Sequence, residues 1–354
     1  MFRSKQPKPS ARIQGSTSGS ISLKALAAHL GLSSATVSLV INRSPAAKSI
    51  PPNTQERIRD AARKLNYRPN LMARSLRQKR SFTVGVIVPE ISEGYAAMVM
   101  SGIEDYLLQE GYFYFVVSHR HRRDLIEEYP RLLQQRAVEG LIAVDTACDT
   151  QWVLPTVAIS GHKEVRGVTN IVLDHNRAVR LALEHLKKLG HSDIALVKGQ
   201  DFSSDTATRW QAVLSAATDL KIKVRDELSI QLESDSSSPD VGYQMARKLL
   251  ARSSRFTAIF AFNDISAIGA MRAFQEAGLN VPQDISVIGF DDISLASFSI
   301  PPLTTVRQPL LKMGRIAAQT LLDRIEERAS YLPEIAIEPE LVVRKSTAPP
   351  KSAG

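Results

Sequence analysis

Ser22 and Ser33 each stand directly before a short apolar run at helical spacing, with Gly31 between the runs. Paired helices of this kind carry hydroxyl, amide and methyl groups that can meet the phosphates and base edges of a DNA duplex. The Ser22 hydroxyl caps a first helix in which Leu23, Leu26, Ala27 and Leu30 recur at i, i+3, i+4 and i+7, and Gly31 ends it. Ser33 caps a second helix whose Val37, Val40 and Ile41 face back toward the first, while Ser34, Ala35, Ser38 and Leu39 point outward. This second helix is the candidate reader of the major groove.

Helix pairs also arise by chance in other small domains, and charge argues against that alternative. Residues 1–80 hold sixteen Lys and Arg against Glu56 and Asp60 alone, a net of +14, whereas the remainder carries 29 basic and 34 acidic residues, a net of −5. A positive field concentrated beside a groove-sized helix displaces counterions from phosphates and so favours duplex binding.

A second group of polar residues follows short β-branched runs. Asn263 and Asp264 come after Ala258–Phe262, Asp291 and Asp292 after Val287–Phe290, Ser160 and His162 after Thr156–Ile159, and Glu90, Ser92, Glu93 and Tyr95 after the first such run. Carboxylates, an amide and a guanidinium such as Arg209 can hydrogen-bond the hydroxyls of a sugar in fixed directions. Asn263, Asp291 and Arg209 are the candidates for ligand contact. Asp264 and Asp292 are expected to cap or brace, since Asn and Asp after a strand also start helices.

The elements that position these groups alternate. Phe82–Pro89, Phe113–Ser118, Gly140–Asp145, Thr156–Ser160, Ile194–Lys198, Ala258–Phe262 and Val287–Phe290 read as buried strands, and residues 96–110, 124–136, 175–189, 205–219, 240–252, 265–277 and 309–328 as helices. Such alternation implies parallel, doubly wound sheets, and the units are too many for one ordinary open sheet. The fold class is therefore an all-α helix-turn-helix headpiece with a hinge helix, followed by a two-lobed α/β domain whose ligand lies at the strand ends. Expected boundaries are a disordered basic arm over 1–20, the DNA-binding domain over 21–67 with a third helix opened by Asn53 or Thr54, a hinge over 68–82, the two-lobed domain over 83–346 and a flexible tail over 347–354. The hinge is basic and rich in helix formers but too short to be stable alone, and a plain linker is the alternative.

Catalysis finds little support. No Gly-x-Ser-x-Gly elbow, phosphate loop or dinucleotide turn occurs, and the seven His residues show no ligand spacing paired with acids, so neither a cofactor nor a metal is expected. His119–Arg123 reads as a solvated basic loop. No apolar run is long enough for a membrane, no secretory signal opens the chain, and the lone Cys148 cannot form an internal disulfide, which together suggest the cytoplasm. A periplasmic solute receptor, the rival class, would carry an export signal and lack the headpiece.

From about Ser20 to Thr347 the chain resembles the lac repressor family of bacterial transcription regulators. The resemblance is carried by Ile21–Asn42, by Leu65–Asn70 with Ala73 and Leu76, and by Val84–Pro89, Gly190-His191 and Arg209. Ala261–Asp264, Val287–Asp292 and Pro302–Pro309 extend it. It implies a homodimer bound to a palindromic operator and a body similar in fold to periplasmic sugar-binding proteins, with a small-molecule effector, a sugar or related metabolite, in the cleft. It implies that Ser33, Thr36, Ser38 and Asn42 touch phosphate or hold the helix and that Ser34, Ala35 and Leu39 face bases. Ala73 and Leu76 would lie on the DNA, with Leu76 as a minor-groove wedge. Near the effector it implies Tyr95, Ser160, Arg209, Asn263, Asp291 and Gln308. Two features depart from the family pattern. Leu39 stands where many members have a polar or basic residue, and residues 233–238 lack the aromatic that stacks on the ligand in relatives, leaving Tyr95, Trp210 or Phe290 as substitutes.

Overall fold

A computed structural model describes residues 21–42, 44–68, 80–91, 94–149, 152–233, 238–252 and 255–351. The proposed arm, most of the hinge with Ala73 and Leu76, and Ser92 and Glu93 lie outside the described residues. The chain divides into two units, Met1–Arg80 and Ser81–Gly354.

In the first unit, α1 (Leu23–Leu30) and α2 (Ser34–Ile41) have only eight residues each, too few to persist without tertiary contacts. Caps and a small core hold them. Ala25 N donates to Ser22 Oγ at 3.1 Å and Thr36 N to Ser33 Oγ at 3.0 Å. Gly31 takes φ 66°, a left-handed turn that costs glycine nothing, and the two helix axes differ by 110°. Leu26, Val37 and Val40 close against Ile58 of α3 (Pro52–Lys64). This third helix opens on Pro51-Pro52 rather than on Asn53 or Thr54, because proline at the first helical position needs no donor and is already set at a helical φ.

The second unit has two lobes. In lobe 1, β1 (Thr83–Val88), α4 (Tyr95–Gln109), β2 (Phe113–Ser118), α5 (Arg123–Gln135), β3 (Gly140–Val144), β4 (Thr156–Ile159) and β5 (Val168–Leu173) follow one another. The chain crosses at Asp174 into lobe 2, which comprises α6 (His175–Lys188), β6 (Ile194–Lys198), α7 (Asp205–Asp219), β7 (Ser229–Gln231), α8 (Pro239–Arg252), β8 (Ala258–Phe260), α9 (Asp264–Glu276), β9 (Ser286–Asp291), α10 (Ser294–Phe298) and β10 (Thr304–Arg307). It returns through Gln308-Pro309 for α11 (Leu310–Ile325) and β11 (Glu334–Ile337), then crosses once more for β12 (Glu340–Val342). The sheet orders are β11-β5-β4-β3-β1-β2 and β12-β10-β9-β8-β6-β7, parallel throughout except for β12 against β10. Strands β3, β4, β5 and β9 are buried end to end, as helices on both faces of a parallel sheet require.

Helices α4 and α11 pack backbone to backbone. A Cβ on Gly102 would sit 2.0 Å from the Leu311 carbonyl oxygen, and one on Gly314 would sit 2.1 Å from that of Val99. Any side chain there would force the helices apart.

The expectation of a free tail from residue 347 does not hold through Lys351. Ala348 N donates to Ser286 Oγ at 3.0 Å, His185 bonds the Thr347 hydroxyl, and His191 Nε2 lies 2.9 Å from the Ala348 carbonyl. Lys351 pairs with Asp284.

Candidate DNA interface and effector cleft

On the headpiece, Ser33, Ser34 and Ala35 are exposed, Thr36 and Leu39 half-buried. Thr36 spends its hydroxyl on Ser33 Oγ at 2.9 Å, stiffening the start of α2. Ser38 does not point outward as its spacing suggested. It is 9% exposed and takes Asn42 Nδ2 at 3.0 Å, so Ser38 and Asn42 together close the end of α2. Leu39 leans partly on the headpiece core. The exposed face at the start of α2 is thus narrower than expected, centred on Ser34 and Ala35.

In the second unit, the carboxyl ends of β1, β3 and β4 in lobe 1 face those of β6, β8 and β9 in lobe 2. A cavity of about 110 Å³ lies between them, bounded by Tyr95, Arg209, Phe262, Asn263, Asp291 and Gln308. Five of the six residues expected near an effector therefore converge. Ser160 lies just behind, its Oγ 2.8 Å from the Tyr95 hydroxyl. Three strand-exit residues here hold left-handed backbone, Asp145 at φ 39°, Ser160 at 61° and Asp291 at 109°. Non-glycine residues in that region concentrate where function constrains the chain.

Arg209 occupies the centre, 4% exposed, its guanidinium flat between Phe290 at 3.8 Å and Phe262 at 4.3 Å. Nη1 donates to the Phe262 carbonyl at 2.7 Å and Nη2 to Asp205 Oδ2 at 2.8 Å. Nε is buried with no partner among the described residues, and so is Gln308 Oε1, while Gln308 Nε2 donates to Asp291 Oδ1 at 2.6 Å. A buried donor and a buried acceptor without partners are costly unless something else meets them.

Asn263 serves the helix behind it. Its side chain accepts from Ser266 N at 2.9 Å, with Ser266 Oγ reaching back, so the residue that lines the cavity is also the cap of α9. Asp264 and Asp292 brace, as expected: Asp264 takes Ile293 N at 2.9 Å and Thr305 Oγ1 at 2.5 Å, and Asp292 takes Arg307 and Arg344.

Sequence reading missed the residues that join the lobes. Asp145 of lobe 1 accepts from Ser204 N at 3.0 Å and Ser204 Oγ at 2.6 Å in lobe 2. His121 of lobe 1 lies against Phe202 of lobe 2, ring centroids 3.7 Å apart. The His119–Arg123 stretch is therefore not simply solvated, since His119 is buried against Thr146 and His121 lines the cavity. Among the aromatic substitutes, Tyr95 lines the cavity, whereas Phe290 is covered by Arg209 and Trp210 packs on the lobe core; Phe202 and Phe262 stand at the wall instead.

Asp205 was also missed. His162 Nε2 lies 2.7 Å and His175 Nε2 3.2 Å from its Oδ1, although the three are 43 and 30 residues apart in sequence. The absence of histidine–acid spacing in the sequence is overturned by crossover at Asp174, which brings them together. Burial alone would raise the Asp205 carboxyl, but His175, His162 and Arg209 hold it well below the carboxylate range. Burial lowers the His175 pKa, against the pull of Asp205. Asp291 is pushed up to about 7 by burial, against the pull of Arg209 and Gln308. Burial, helped by Asp205 and Asp145, raises the Tyr95 phenol well above its ordinary value, so it stays neutral. The cavity thus offers neutral and anionic acceptors around one cation.

Residues 22–70 match the family profile described as bacterial regulatory proteins, lacI family, and residues 183–347 match a periplasmic binding protein-like domain. The chain is 31% identical over 336 residues to the HTH-type transcriptional repressor PurR of Haemophilus influenzae, covering 92% of this chain and 98% of that one. Its structure is similar to the lac repressor dimer bound to operator and the anti-inducer ONPF, with TM-score 0.80, 28% identity and coverage of 93% and 100%. It is also similar to the transcriptional regulator CelR in complex with cellobiose, with TM-score 0.68, 27% identity and coverage of 92% and 99%. With a helix-turn-helix headpiece, two parallel-rich lobes and relatives matched nearly end to end, the chain belongs to the lacI family of DNA-binding bacterial regulatory proteins.

Proposed function

We propose that this chain is a dimeric repressor, acting in the cytoplasm, whose hold on a palindromic operator is set by a small polyhydroxylated effector bound between its lobes. The observation that carries the effector reading is the pair of buried, unpartnered groups at the cavity, Arg209 Nε and Gln308 Oε1, beside Asp291 and Asn263. A donor, an acceptor and a carboxylate in fixed positions suit a hydroxylated ring. Relatives bound to ONPF and to cellobiose support the same class. Phe202 and Phe262 at the wall give a ring a face to lie on.

On the DNA side, Ser34, Ala35 and Leu39 meet base edges while Ser33, Thr36, Ser38 and Asn42 touch phosphate or hold the helix, with Ala73 and Leu76 of the hinge at the operator centre. Leu39 offers only apolar contact, suited to a thymine methyl. Edge strand β2 carries exposed Phe113 and Phe115, which supply an apolar face for the second copy. Effector binding shifts the lobes only by its differential affinity for two arrangements, and that shift reaches the paired headpieces through the hinges.

Selection of bound sequences from random duplexes by the full-length protein, alone and with panels of sugars and of purines, tests this. Recovery of a palindrome whose enrichment a sugar changes is expected. Enrichment changed only by purines would replace the effector class, and unrelated sequences under every condition would overturn the regulator reading.

A further inference from the structure

At the wall of the cavity, which Asp205 lines, His162, His175 and Asp205 bring three ligand atoms within 4.8 Å of one another. His162 follows β4 in lobe 1, whereas His175 and Asp205 open α6 and α7 in lobe 2. Both imidazole Nε2 atoms approach the same oxygen, Asp205 Oδ1, and the other oxygen accepts from Arg209 Nη2 at 2.8 Å. A carboxylate anchored on one oxygen and presented to two imidazoles on the other is the outer support that ligating carboxylates receive in metal sites. His175 is 4% exposed and its Nδ1 has no partner among the described residues. Ligation through Nε2 places the ring proton on Nδ1 and turns the Nε2 lone pair toward a cation lying between the ring and Asp205.

We propose that His162, His175 and Asp205 form a site for a divalent d-block cation, zinc by the character of the donors, that ties lobe 1 to lobe 2. Two imidazoles and a carboxylate are a donor set zinc accepts, and it leaves a coordination position for water or a further ligand. The hard-cation alternative is disfavoured because magnesium and calcium select oxygen ligands. Ligands from both lobes mean that occupancy favours the arrangement in which His162 meets His175 and Asp205.

The test uses the full-length chain freed of metal by chelation. Titration with Co2+ is expected to give a visible d–d band saturating at one equivalent per protomer, and Zn2+ to displace it and raise the thermal midpoint. His162→Ala, at an exposed position, and His175→Gln should each weaken binding by at least about 100-fold, beyond the 10–100-fold typical of outer-sphere changes. Removal of the exposed His29 should leave it unchanged. Circular dichroism establishes that each variant is folded. Absence of saturable Co2+ and Zn2+ binding, or binding that His162→Ala leaves at parent affinity, overturns the proposal whatever the effector proves to be.

Discussion

Asp205 and Arg209 stand one helical turn apart on α7 and hold each other across 2.8 Å, with side-chain exposures of only 7% and 5%. The pair ties the cation at the centre of the cavity to the seam between the lobes, because Asp205 also meets His162 of lobe 1. Arg209→Lys keeps the charge but cannot lie flat between Phe262 and Phe290 while donating to both Asp205 and the Phe262 carbonyl. The effector response of operator binding, read by fluorescence anisotropy, is expected to vanish and the thermal midpoint to fall, with effector-free operator affinity close to the parent's. A retained response would remove Arg209 from the site.

Asp291 gives the stability a specific pH dependence. Its folded pKa of about 7 lies above the ordinary carboxyl value of ~3.9. A carboxyl that holds its proton more tightly when folded contributes stability that is full below ~pH 4 and disappears as pH rises through about 7, by a few kcal/mol at most. The thermal midpoint of the parent minus that of Asp291→Asn should therefore decline between pH 5 and pH 7 and level off above it. A flat difference would show that Asp291 ionises normally in the folded chain.

Ser33 caps the start of α2, its side chain accepting from Thr36 N. Ser33→Ala removes the bond to Thr36 N and should cost ~1 kcal/mol of headpiece stability. Leu39→Arg, in contrast, should leave stability nearly unchanged and shift the selected operator toward guanine at one step per half-site, since arginine bonds O6 and N7 together. Selection with both variants separates loss of fold from change of reading, and an unaltered consensus for Leu39→Arg would take that residue off the base edges.

Phe113→Asp places a charge on the exposed edge of β2. Sedimentation should show a shift from dimer to monomer at low micromolar concentration, with operator affinity falling more steeply than non-specific binding. A dimer unaffected by the change would move the interface elsewhere.

The helix pair was legible in sequence because its determinants are local: Ser22, Gly31 and Ser33 act within three residues of themselves. The long strands and helices were legible by period. Strand β5 escaped because Thr169 and Asn170 interrupt its apolar run, yet both are buried, with Asn170 Nδ2 donating to the Lys163 carbonyl at 2.9 Å. Strands β7, β11 and β12 have three or four residues and draw their stability from neighbours distant in sequence. In the cleft, residues with a strand directly before them were found, and Asn263 and Asp291 are two. Asp145, read as the last residue of its own strand, and Asp205, at a helix start, were not, because their partners come from the opposite lobe and no local pattern records a crossover. Ser38 was misplaced because a strict helical wheel ignores that Asn42, one turn on, draws its hydroxyl inward.

The contact of Gly102 with Leu311 and of Gly314 with Val99 has a mechanical consequence. Helices α4 and α11 mesh at the level of their peptide groups, so neither can slide along the other without collision. That mesh locks two helices of lobe 1 together, and the covalent joints between the lobes are three short stretches of chain, at Asp174, at Gln308-Pro309 and at Glu338-Pro339. Two of these carry proline, whose ring removes one rotatable bond from each. The joint thereby has few rotatable bonds, so that a change of torsion at these three short stretches turns one lobe against the other.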